Sequence, residues 1–223
     1  MDDFVFLTFY MKESFMQTQP TQIQYISLQQ AFDFFNNRLF EDTLPPVFIT
    51  FQRQKKGYGY YWSEKLESRK DKTKIAEIAL NIASFHKRRD IDIFSTLVHE
   101  MVHHWQFCYG HPSRTGYHNM EWAVQMQKIG LMPSNTGLPE GKITGQHMTH
   151  YTMEGGYFDL ACKELIHSGI SIDWQSSEEG KAKKPAINKT KYTCLNCDYN
   201  VWGKAGLLFS CEECGELYQE KGK

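Results

Sequence analysis

No run of apolar residues in this sequence approaches the roughly 18 that a membrane-spanning helix needs. The longest candidate, Phe4–Tyr10, is far too short, and it follows Asp2 and Asp3 where a secretory signal would open with positive charge. A charge of one sign is also missing. Lys and Arg number 25 against 26 Asp and Glu, a formal net charge of -1, so no strongly basic body is available to wrap nucleic acid by net charge alone. No internal repeat marks a solenoid. Metal binding fits better than a disulfide framework, because four of the six cysteines fall into two C-x-x-C pairs and no secretion signal accompanies them. The expectation is a cytoplasmic protein without a membrane partner, whose paired cysteines bind metal.

What is present is enough apolar surface for a core: 41% hydrophobic and 14% aromatic residues over 223 positions. Ser27 and Gln30 have the form of a capping box, and Leu28, Ala31, Phe32, Phe35 and Leu39 then recur at helical spacing, which predicts a helix over 27–41. Leu44-Pro45-Pro46 ends it. Strands are predicted at Val47–Phe51, at the tyrosine-rich Gly57–Trp62, and over 77–82, where Ile78, Leu80 and Ile82 alternate with Glu77, Ala79 and Asn81. Asp90 or Asp92 caps a helix with Phe94, Leu97, Val98, Met101, Trp105 and Cys108 on one apolar stripe. Further helices are expected near 118–129 and 157–167, with a loop over 132–146 between them. From Gln175 to Lys191 apolar residues thin out while Lys181, Lys183, Lys184, Lys189 and Lys191 accumulate, as in a linker.

The chemistry lies in His99-Glu100-Met101-Val102-His103. Residues four apart share a helix face, so His99 and His103 can hold one zinc while Glu100 flanks a water on it. Zinc with three protein ligands keeps a fourth position for water, whose pKa it lowers toward about 7, and a neighbouring carboxylate takes the proton. Glu100 is therefore the candidate general base. For the third ligand the spacing leaves His111, in the Gly110-Pro112 turn, and His118 and Glu121, which stand three apart at the start of the next helix. His118 is preferred and Glu121 is the alternative, since carboxylates also serve as third zinc ligands. Thr144–Tyr151 is dense in polar side chains, and one of its His or Tyr residues could stabilise an oxyanion, although a structural role is the more common use. His104 is assigned only a supporting or exposed position. Cys108 and Cys162 read as inert thiols on helices.

Cys194-x-x-Cys197 and Cys211-x-x-Cys214, with 13 residues between the pairs, have zinc-ribbon spacing, with short strands expected at 199–202 and 207–209. Four thiolates leave no open coordination position, which makes that zinc structural. Lysines of the linker could reach DNA phosphates, whereas Glu212, Glu213, Glu216 and Glu220 make the end of the ribbon acidic. DNA contact and protein packing both stay open.

Phe35–Phe40, Leu44-Pro45, Gly57–Trp62 and Glu77–Asn81 resemble the N-terminal half of a SprT-like domain. Leu97–His104 resembles the zinc helix of that family, His118–Trp122 its segment bearing the third histidine, and the cysteine pairs its C-terminal ribbon. The resemblance implies an α+β fold, a zincin-like metallopeptidase domain of helices packed on a small sheet, followed by a zinc ribbon. It also implies metallopeptidase activity, with eukaryotic Spartan-type relatives that cleave proteins crosslinked to DNA, and it favours Gly57–Trp62 as a cleft edge that accepts substrate backbone.

The expected organisation is an N-terminal extension over 1–26, the metallopeptidase domain over 27–175, a basic linker over 176–191 and the ribbon over 192–223. The expected function is a zinc endopeptidase acting on protein or peptide substrates, DNA-associated ones among them, with catalytic zinc on His99, His103 and His118 and structural zinc on the four cysteines. The alternative is a non-catalytic adaptor that binds DNA or protein through zinc modules.

Overall fold

The computed structural model describes residues 19–86, 88–177 and 189–220. Residues 1–18 and the lysines at 181, 183 and 184 lie outside them. The chain divides between Glu179 and Gly180 into two compact units. The fold is mixed α+β, and among the described residues no helix is long and apolar enough to cross a membrane.

The first unit opens with α1, Pro20–Phe40. The helix starts seven residues before the predicted 27, and the Ser27/Gln30 pair lies inside it. Pro20 explains the difference: at the first helical position its missing N–H is one that would have no intrahelical partner anyway. Gln24 of the added turns is buried, as is Leu28 just beyond them. After Glu41 in the left-handed region, Asn36 clamps the exit of the helix, its side chain pairing with both the backbone N–H and the C=O of Leu44 at 3.1 Å.

Strands β1 (Phe48–Gln52), β2 (Gly59–Glu67) and β3 (Lys74–Asn81) form a mixed sheet in the order β1-β3-β2. β1 runs parallel to β3, and β2 runs antiparallel to it. Strand β2 continues past Trp62, where the predicted strand ended, through a bulge to pair Leu66 with Ile75. Central β3 does not show the expected in-out alternation, because Ala76–Asn81 are buried on both faces. Glu77 tolerates this by accepting from the Thr50 hydroxyl at 2.7 Å and the Tyr60 hydroxyl at 3.4 Å. Asn81 holds the segment before β2, donating to Gly57 O at 2.8 Å and Gln54 O at 3.1 Å.

Helix α2, Asp90–Tyr109, lies against β2, β3 and the other helices. Asp92, in its first turn, accepts from the backbone N–H of Arg89 at 3.1 Å, so Arg89 rather than either aspartate occupies the cap position. Phe94, Leu97, Val98, Met101 and Val102 of α2 are fully buried. Phe35 of α1 packs its ring 6.0 Å from Phe94 and 5.7 Å from Phe158. Helix α3 (Met120–Lys128) is followed by the hairpin of β4 (Leu131–Ser134) and β5 (Thr149–Thr152), and by α4 (Tyr157–His167). All of β4 but Leu131 falls within the region predicted to be loop.

The second unit is a three-stranded antiparallel sheet in the order β7-β6-β8, with β6 at Thr190–Cys194, β7 at Asn200–Gly203 and β8 at Tyr218–Glu220. Only β7 of the two predicted strands forms. Residues 207–209 are irregular, because Phe209 turns in to pack 5.1 Å from Tyr192 and 4.8 Å from Tyr218. Glu220, one of the acids that make the end of the ribbon acidic, accepts from Tyr192 Oη and from Gly206 N, both at 2.9 Å.

Replacing Asn36 with Ala leaves both polar groups of Leu44 unpaired in a buried position, and is expected to destabilise the fold by about 1–3 kcal/mol. Urea unfolding measures this, with Asn37→Ala, whose amide bonds an exposed Asp42, as a control expected to stay within about 0.5 kcal/mol.

Candidate metal centre

Two turns into α2 the buried stripe turns polar. His99 and Glu100 are 8% and 5% exposed, and His103 follows one turn later. His118 reaches the same point from the segment before α3. One nitrogen of each imidazole lies within 4.8 Å of the others, and His103 Nε2 stands 3.0 Å from His118 Nε2. Two nitrogens bound to one tetrahedral zinc stand about 3.3–3.4 Å apart, so the observed spacing fits an ion after a shift of a few tenths of an ångström.

Protonation points the same way. Burial lowers the pKa of His99 well below its usual value; it lowers His103 to about 3, with His118 adding to the effect. Burial also lowers His118. Neutral imidazoles at pH 7 keep the lone pairs that a metal requires. Burial alone pushes Glu100 up to about 8. Gly59 is what allows the carboxylate to sit there: a Cβ at that position would lie 3.2 Å from Glu100 Oε1 and 2.9 Å from Ala79 O.

Of the third-ligand candidates, only His118 joins the cluster. Glu121 is turned away, accepting from His111 N and Gln106 Nε2 at 2.7 Å and from His111 Nδ1 at 3.3 Å. Those bonds, the backbone one first, hold its carboxyl below the usual range. His111 itself is almost fully exposed. Gln106 also donates to Asn119 Oδ1 at 2.7 Å, and Asn119 caps α3 by accepting from Trp122 N at 3.1 Å. Together these bonds clasp the end of α2 to the start of α3 and fix His118 between them. Gly110 leaves space for the clasp, since a Cβ there would meet Glu121 Oε2 at 2.5 Å.

Sequence reasoning gave Trp122 no part in the site. Its fully buried indole lies under all three imidazoles, with ring centroids 4.9, 5.4 and 4.4 Å from those of His99, His103 and His118. His150, one of the polar residues of Thr144–Tyr151, stands with Nδ1 at 3.2 Å from His99 Nδ1, and burial lowers its pKa to about 4. His104 is 3% exposed rather than at the surface, bridging Pro45 O at 3.0 Å and the Tyr61 hydroxyl at 3.2 Å. Burial raises both spare thiols, Cys162 to about 12.

The histidines open into a cleft of about 1190 Å³. One wall is β2 from Gly59 to Trp62, whose outer edge pairs with no other strand among the described residues. The other wall is formed by residues 114–118 and 146–150.

In the second unit the thiols of Cys194, Cys197, Cys211 and Cys214 lie within 4.8 Å of one another, Cys197 and Cys211 at 3.6 Å, and none is in a disulfide. Thiolates on one tetrahedral zinc at about 2.3 Å stand about 3.8 Å apart, so this donor set also fits.

A protein of Salmonella typhimurium, described as an uncharacterized protein in the mucB 3'region, is 44% identical over 59 residues, covering 26% of this chain and 80% of that protein. Residues 28–144, just over half of the chain and inclusive of α2 and His118, match the SprT-like family description, and the chain belongs to that family.

Proposed function

We propose that this chain is a zinc-dependent endopeptidase that hydrolyses peptide bonds in protein substrates. Glu100 is its general base, His99, His103 and His118 hold the catalytic zinc, and Cys194, Cys197, Cys211 and Cys214 hold a structural one. The observation that carries the reading is the buried Glu100 beside three converging neutral imidazoles at the base of an open cleft. When bound there, zinc supplies a Lewis acid for the scissile carbonyl and for an attacking water. The chain's own groups do the rest. The open edge of β2 offers backbone N–H and C=O groups to an extended substrate, which fixes the direction of the peptide across the site. Glu100 takes a proton from the attacking water and returns it to the leaving amine. A non-catalytic adaptor would gain nothing from a carboxylate buried without donors at the base of a cleft.

DNA is the second partner in this reading. Tyr199 and Trp202 of the second unit are 56% and 58% exposed, as suits rings that stack on unpaired bases.

Metal analysis of fresh protein is expected to give two zinc ions per chain, the histidine-bound one lost first to chelator because three neutral imidazoles hold it less tightly than four thiolates. A single zinc per chain would contradict this. Glu100→Gln is expected to lower kcat/KM for casein or peptide cleavage by about 10²–10⁴-fold with both metals retained. Metal loss in that variant would make the residue a ligand.

His118→Ala should empty the histidine site and abolish cleavage, leaving the cysteine-bound zinc. Glu121→Gln should be milder, about 10–100-fold, because its carboxylate acts by holding the segment that carries His118. The reverse order would exchange the roles of the two residues.

A further inference from the structure

We propose that the segment Gly145–His150 sets the tautomers of two of the three metal-facing imidazoles, with His150 the positioning residue for His99 and the Gly145 carbonyl doing the same for His118. The proposal rests on the reading of His99, His103 and His118 as metal ligands.

An imidazole can bind a metal through one nitrogen only if that nitrogen carries a lone pair, so in the neutral ring the proton must sit on the other. For His118 the partner leaves no choice. Nδ1 stands 3.2 Å from Gly145 O, and a carbonyl only accepts, so the proton is on Nδ1 and Nε2 is bare. That bare Nε2 is the atom 3.0 Å from His103 Nε2. The same carbonyl accepts from His118 N at 2.9 Å, and Gly145 N donates to His118 O at 3.1 Å, so ring and backbone are held by one residue.

For His99 the contact is Nδ1 to Nδ1 of His150 at 3.2 Å, and one of the two must donate. If His150 donated, His99 would carry its proton on Nε2, the nitrogen left for a metal once Nδ1 is engaged by His150. Ligation requires the opposite arrangement, in which His99 donates from Nδ1 and His150 accepts. Side chains that accept from a ligand histidine in this way fix ring orientation and raise ligand basicity.

The segment is fastened at both ends of α3, which is what a positioning element needs. At the start of α3 it is tied by the Gly145–His118 pair. Beyond its end, β5 carries His150 opposite Pro133 of β4, and Met153 N donates to Gly130 O at 3.0 Å. Residues 145–150 lie immediately after the 28–144 range of the family match.

The test compares wild type with His150→Leu and His150→Asn, reading zinc and cobalt affinity of the histidine site by chelator competition. The cysteine-bound metal and the thermal midpoint serve as internal controls. The leucine variant is expected to bind about 10–100-fold more weakly, and the asparagine variant, whose side-chain oxygen can accept where Nδ1 did, to recover most of the loss. Unchanged affinity in the leucine variant, or equal losses in both, overturns the proposal. Should the leucine variant fail to fold, nitrogen-15 spectra of zinc-loaded wild type decide: His99 protonated on Nδ1 supports the assignment, and protonation on Nε2 overturns it. If wild type and His118→Ala hold the same amount of metal, the histidine site itself is refuted, and this proposal falls with it.

Discussion

Helix α2 is packed on nearly every side, yet it carries ionisable groups in its most buried turns, and desolvation there governs the whole site. A charge moved into such surroundings loses its hydration, so each group takes its neutral form unless something nearby replaces the water. The imidazoles accordingly stay neutral, and Glu100 is pushed toward its acid form. A cation among the three nitrogens would reverse the balance for Glu100 while leaving the histidines as they are, because it favours the carboxylate and uses the lone pairs. Metal binding and ionisation of Glu100 are thus linked through one low-dielectric volume, which Trp122 closes from below.

Two carboxylates show how the same local device leads to opposite outcomes. Glu100 and Glu121 each lie against a glycine, Gly59 and Gly110, whose absent side chain makes room for the carboxylate. Glu121 is met there by donors from His111 and Gln106, and its pKa falls; Glu100 meets none that counters burial, and its pKa rises to about 8. A carboxylate saturated with donors is a strut. One left without them can exchange a proton. The distinction between ligand, base and strut therefore follows from the surrounding donors, and spacing along the chain does not carry it.

That is also why the sequence was legible in some places and opaque in others. The stripe Leu97, Val98, Met101 and the H-E-x-x-H turn depend on contacts within one helix, and periodicity captures those. The choice between His118 and Glu121 depends on which way two side chains three residues apart are drawn: donors from Gln106 of α2 and from His111 just beyond it take Glu121, and the Gly145 carbonyl takes His118. His150 lies 51 residues from its partner and arrives through a hairpin whose first strand, Leu131–Ser134, contains a proline and reads as loop. The start of α1 was misplaced because a good capping pair occurs inside a helix that tertiary burial of Gln24 had already extended. Alternation on β3 failed because a strand with neighbours on both edges and layers on both faces has no solvent side.

In the second unit the balance between core and metal is different. Its fully buried side chains amount to little more than Tyr192, Thr193, Cys194 and Cys211, too few to offset the entropy of ordering three strands. Tyr192 partly compensates by tying separate strands together, donating to Glu220 and accepting from Leu207 N at 3.0 Å. Those bonds fix the far end of the sheet from the thiols, where ionised sulfurs a few ångströms apart would repel. A cation held there would convert that repulsion into the strongest attraction in the unit, and its binding free energy would be folding free energy. The two candidate metal clusters then differ in kind: the histidine cluster is imposed on a core that already stands, whereas in the cysteine unit a metal would take the place of the core.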